Sequence, residues 1–109
     1  MHPLHLLSYF VGGAFLMNAV PHVVSGAMGR KFPSPFAKPP GKGLSSALVN
    51  MLWGFGNLVI AYLLVCKIGR FDLGNAAQAA SLALGMFLLG LVHALHFGNL
   101  NGGGGPDLA

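Results

Sequence analysis

The sequence predicts an all-α membrane protein: a three-transmembrane-helix bundle with a proline-rich basic first loop and a disordered glycine-rich C-terminal tail. Composition gives the first reason. Of 109 residues, 54% are hydrophobic and 7% charged, and mean hydropathy is +0.68, whereas a soluble domain carries roughly a quarter of its residues as Asp, Glu, Lys or Arg. The placement of the charges gives the second. Residues 1–29, 43–66 and 73–106 contain none of those four residue types, and every formal charge falls in 30–42, in 67–72 or at Asp107. A third reason is length: a hydrocarbon core of about 30 Å takes about 20 apolar residues at roughly 1.5 Å rise each, and each uncharged block supplies that many.

The first span is expected over about 4–27. Ser8, Gly12, Phe15, Ala19, His22 and Gly26 recur every three or four residues and mark the buried face, while Leu7, Val11, Leu16, Val20 and Val23 mark the opposite one. Pro21 removes one backbone donor late in the helix, where a kink is expected. A cleavable signal peptide would place Lys or Arg before the apolar run. Here only His2 and His5 precede it, and Arg30 and Lys31 come after, which favours a retained span.

The first loop reads GRKFPSPFAKPPGKG, with prolines at 33, 35, 39 and 40. Proline at that density excludes regular helix and predicts extended, polyproline-like backbone along the headgroups, with Phe32 and Phe36 dipping inward. Arg30, Lys31, Lys38 and Lys42 are the expected lipid-headgroup contacts. The second span is expected over about 44–66, its inward stripe traced by Ser46, Asn50, Gly54, Asn57 and Ala61, with Leu52, Val59 and Leu63 outward. After a basic turn at 67–72, the third span is expected over about 76–97. Ala77, Ser81 and Gly85 repeat every four residues and form a flat face for close backbone approach, which continues through Leu89, His93 and His96. Residues 1–98 thus read as one transmembrane domain and 99–109 as a flexible tail, since four consecutive glycines followed by proline bury nothing.

Lipid tails are as apolar as leucine, so small residues and interhelical hydrogen bonds must hold the helices together. Asn18, Asn50 and Asn57 are suited to this because an amide both donates and accepts. The basic residues split four to two between the loops, Arg30, Lys31, Lys38 and Lys42 against Lys67 and Arg70. The positive-inside rule then places the first loop in the cytoplasm of a plasma (inner) membrane, with the N-terminus outside and the C-terminus cytoplasmic. Because these charges flank spans, they speak for headgroups rather than nucleic acid. The lone Cys66 forms no internal disulfide.

Chemistry, if the chain performs any, must use histidine. Three spans alternate in direction, so His22 near the end of the first, Asn50 near the start of the second, and His93 and His96 near the end of the third share one leaflet, with Asn18 beside them. Three readings stand open. His22, His93 and His96 would make a three-nitrogen metal site of the kind imidazole favours. With Asn18 and Asn50 they would make a haem or quinone pocket. Or they hydrogen-bond one another and fix helix packing. No carboxylate lies in any span, which speaks against a membrane-embedded proton relay or a di-iron carboxylate site. No Ser/His/Asp or Cys/His catalytic set can be assembled, so the chain reads as non-enzymatic. The leading expectation is a non-catalytic accessory or assembly subunit of a larger membrane complex, with other membrane subunits or further copies as partners. The alternative is a haem-, metal- or quinone-binding redox protein.

Overall fold

Proline opens the first helix. A computed structural model of the chain describes residues 2–104, and in it α1 (Pro3–Ala27) starts with Pro3 in its first turn, where the missing N–H costs nothing. His2 caps it, Nδ1 accepting from the Leu4 N–H at 3.0 Å. The helix continues through Pro21 to Met28. Gly29, in the left-handed region at φ +71°, then lets the Arg30 N–H return to the Ser25 carbonyl at 2.8 Å and the Gly29 N–H to that of Gly26 at 3.1 Å. This Schellman closure satisfies carbonyls that the helix end would otherwise leave free.

Residues 30–46 fold back as a cap. Strands β1 (Phe32–Pro33) and β2 (Leu44–Ser45) pair antiparallel, Phe32 opposite Ser45 and Pro33 opposite Leu44. The buried hydroxyls of Ser34 and Ser45 lie 2.6 Å apart, and the Ser34 carbonyl accepts from both Ala37 and Gly41. The expected extended strap is therefore corrected to a closed loop with a small buried centre at Pro33, Ser34, Ala37 and Ser45. Phe32 does turn inward, whereas Phe36 is 63% exposed and only meets Trp53 edge-on.

Helix α2 (Ala47–Tyr62) is capped by Ser46, whose Oγ accepts from the Val49 N–H at 3.1 Å. Its buried residues are Asn50, Gly54, Asn57 and Ala61. Leu52, Val59 and Leu63 are exposed. The helix widens into a π-helical segment over Leu63–Ile68 before stopping at Gly69. In a wider turn each N–H reaches five residues back, as the Gly69 N–H does to the Leu64 carbonyl. Helix α3 (Ala76–Asn101) is capped by Asn75, whose Oδ1 accepts from the Gln78 N–H, while Gln78 Oε1 reaches past the cap residue to accept from the Asp72 N–H at 2.7 Å. It runs four residues beyond the expected end and stops where Gly102 turns left-handed at φ +83°. The expected tail thus starts late, and 105–109 fall outside the described residues.

All three helices are long and apolar enough to cross a membrane, α2 with its π-helical extension counted as one. They do not form a closed bundle around a shared axis. α1 packs against α2 on one side and α3 on another, while α2 and α3 scarcely meet. Adjacent glycines on α1 make this possible. A methyl on Gly12 would overlap Val65 of the π-helical segment, and one on Gly13 would overlap the Leu82 carbonyl of α3. The partner glycine on α3 is Gly85, where a methyl would run into the Phe10 carbonyl. α1 therefore buries Tyr9 and Gly13 as well as the expected Ser8, Gly12, Ala19 and His22. On α3, Gln78 is buried and Ala77 exposed, which corrects the expected face at its first turn.

Candidate functional site

At the capped end, the side chains of six polar residues connect all three helices and the loop. Asn50 is fully buried, and its amide Nδ2 donates to the carbonyls of Phe32 at 3.0 Å, Ser45 at 3.2 Å and Ser46 at 3.0 Å. Those three carbonyls fix which way the amide faces, because the opposite orientation would set oxygen against oxygen. Asn50 Oδ1 is then the acceptor toward His22 Nδ1 at 2.7 Å. His22, 2% exposed, consequently carries a proton on Nδ1, which in the neutral ring leaves the lone pair on Nε2.

The same logic runs through the other pair. Asn57 Nδ2 donates to the Trp53 carbonyl at 2.8 Å, so Asn57 Oδ1 accepts from Asn18 Nδ2 at 2.9 Å. Asn18 Oδ1 is left to accept from His93 Nε2 at 2.9 Å. Asn18, on α1, therefore bonds to α2 and α3 at once. His96 Nε2 donates to the Gly41 carbonyl at 2.7 Å and ties α3 to the cap. Aromatic rings fill the spaces between: Phe32 lies against His22 and Phe97, and Phe97 against His93 and His96, with centroids 4.6–5.6 Å apart.

The structure thus brings His22 and Asn50 together, and Asn18 and His93 together, at one level. His96 sits on the same level but turns to the loop backbone. Among the described residues no three His, Cys, Asp or Glu side chains are grouped so as to hold one metal ion. Arg30, Lys31, Lys38 and Lys42 are all exposed on or beside the cap. Sequence reasoning passed over Ser34, Trp53 and Phe97. Trp53 and Phe97 carry no periodic signal that separates them from other apolar residues, and Ser34 gains its place only through the pairing of β1 with β2.

Between cap and helix ends lies a cleft of about 170 Å³, walled by Asn18, His22, Pro33, Trp53, His96 and Phe97 among others. The indole N–H of Trp53 is buried and bonds to no acceptor. The opposite end of the molecule has its own polar contacts, simpler in kind. Ser8 donates through its hydroxyl to the Leu64 carbonyl, Tyr9 to the Gly69 carbonyl, and Ser81 to the Leu6 carbonyl at 2.6 Å. Comparison with known proteins finds no matching family model, no matching curated protein and no matching solved structure.

Proposed function

We propose that this chain is an integral membrane protein acting as a non-catalytic accessory or assembly subunit of a larger membrane complex. One observation carries the reading: the histidines and asparagines that offered the best chemistry bond to one another and to loop carbonyls within the chain. Such a network locks helix register and holds the cap down, which is structural work. Exposed apolar side chains on α3, including Leu84, Phe87, Leu91 and Leu95, suit lipid or a neighbouring subunit. The four cations of the cap match anionic headgroups, and their excess over Lys67 and Arg70 argues for a cytoplasmic cap in a plasma (inner) membrane, with the N-terminus outside and the C-terminus inside.

The test is purification in mild detergent with spectra and metal analysis on the same sample. Co-purifying larger subunits without a chromophore are expected. A Soret band or stoichiometric metal would replace this reading with a redox protein using His22, His93 and His96. Orientation has its own check. Single cysteines placed in the cap, on a Cys66-free background, should resist a membrane-impermeant thiol reagent in intact cells, and ready labelling would reverse the topology.

A further inference from the structure

The cleft under the cap has unspent hydrogen-bonding capacity. Asn18 uses one amide hydrogen on Asn57 and keeps the other. His22, which lines the cleft, spends its Nδ1 proton on Asn50, which does not, and so keeps Nε2 as the free acceptor of its neutral ring. Residues 18 and 22 are four apart on α1 and lie one above the other on one helix face, with Cβ atoms roughly 5–6 Å apart. A donor and an acceptor at that spacing are complementary to one hydroxyl, which accepts from Asn18 and donates to His22.

The rest of the cleft narrows the ligand class. No Asp, Glu, Lys or Arg lines it, so no carboxylate, ammonium or guanidinium there compensates a charged ligand, and burying an uncompensated charge is costly. Its walls include Pro33, Trp53 and Phe97, flat apolar surfaces that suit a ring better than a chain of waters, each of which wants two to four polar partners. Its volume of about 170 Å³ is close to that of an engineered cavity of about 150 Å³ that admits benzene. A haem is far too large for it. We propose that this cleft binds a neutral, single-ring hydroxyl compound, a phenol or hydroquinone, with the hydroxyl bridging Asn18 and His22. This goes beyond the accessory reading and does not depend on it, since a subunit of a complex can also hold such a ring.

The experiment uses the full chain in phosphatidylcholine nanodiscs. Trp53 is the one tryptophan in the sequence and stands in the cleft wall, so its emission reports occupancy. Phenol, benzene and benzoate are titrated separately. Phenol should give a saturable change, benzene one at least about tenfold weaker, as expected for loss of the hydroxyl's bonds in a buried site, and benzoate none. Equal affinity for phenol and benzene would overturn the hydroxyl bridge. Saturation by benzoate, or by none of the three, would overturn the site. His22→Phe keeps a ring of similar size but removes the lone pair, and should weaken phenol about tenfold and benzene by much less. Because that substitution also strips Asn50 of its donor and can disturb folding, the three-ligand series on the unaltered chain is the deciding measurement.

Discussion

The two ends of the molecule are held by different kinds of bond. At the capped end the bonds that run from helix to helix join side chain to side chain, Asn18 with Asn57, His93 with Asn18 and His22 with Asn50, while the backbone carbonyls bonded there lie in the loop or in α2 itself. At the other end, hydroxyls meet backbone: Ser8 with the Leu64 carbonyl, Tyr9 with that of Gly69, Ser81 with that of Leu6. A side-chain pair exists only in one register of the two helices, since a slip of one residue separates both partners. A hydroxyl facing a run of carbonyls tolerates a slip far better. The capped end is therefore the part that specifies how the helices line up, and the other end satisfies carbonyls, Leu64 among them, next to the π-helical widening.

The largest expected effect lies between the two ends and tests whether close backbone contact outranks both. Gly85→Leu forces a side chain against the Phe10 carbonyl and the Ala14 N–H. Overpacking costs about 1–3 kcal/mol and occasionally more. Backbone on the receiving side puts this substitution at the upper end or beyond, read as loss of a cooperative thermal transition in detergent. A variant as stable as the parent would mean that α3 docks elsewhere. Next comes Asn50→Leu. It takes the amide from the Phe32 and Ser45 carbonyls and from His22, while the Ser46 carbonyl keeps the backbone N–H of residue 50, and unsatisfied buried groups cost about 1–3 kcal/mol. Amide hydrogen exchange should accelerate across residues 30–46 while the middles of α1 and α3 stay protected; an unchanged cap would show that β1 and β2 hold it without help.

Asn18→Leu follows, severing two interhelical bonds that average about 0.6 kcal/mol each in membrane proteins. About 1 kcal/mol is expected in a denaturant titration followed by Trp53 emission. Ser8→Ala removes one bond and should cost about 0.6 kcal/mol. The order of these last two carries the comparison: were Ser8→Ala the more damaging, the end near the π-helical segment would be the specifying one.

Much of this architecture was legible because polar residues are scarce in it. On α2 the spacing of Ser46, Asn50, Gly54, Asn57 and Ala61 marked the inward face, since in an apolar helix any amide or glycine stands out, and of these only Ser46, the exposed helix cap, is not buried. The same approach failed by half on α1. A single inward stripe was expected, yet Gly13 opens a second contact face toward α3 and Tyr9 is buried against Gly69 and Phe71, because the helix lies between two neighbours that scarcely touch. Nothing periodic distinguishes a helix with two partners from one with a single interior. The cap escaped for another reason. Its prolines exclude helix, but the fold of 30–46 depends on Asn50 and Ser45, residues beyond the proline-rich stretch, and that dependence is long-range. The end of α3 was misplaced because Asn99 and Asn101 read as tail, while the helix stops only where Gly102 reverses its backbone.

The arrangement of α2 and α3 on separate sides of α1 bears on how the chain assembles during synthesis. α1 is made first and already carries both docking surfaces, Gly12 toward the π-helical segment and Gly13 toward α3. When α2 follows, the hairpin of the first two helices has nearly all of its final contacts, including the cap pinned by Asn50. α3 then adds as a separate event, and at the capped end it bonds to Asn18 through His93 and to Gly41 through His96, and packs Phe97 on Phe32. A nascent chain halted after residue 71 would thus hold the hairpin with its cap and the partners of Tyr9, and would lack the helix for which Gly13 keeps one face of α1 flat.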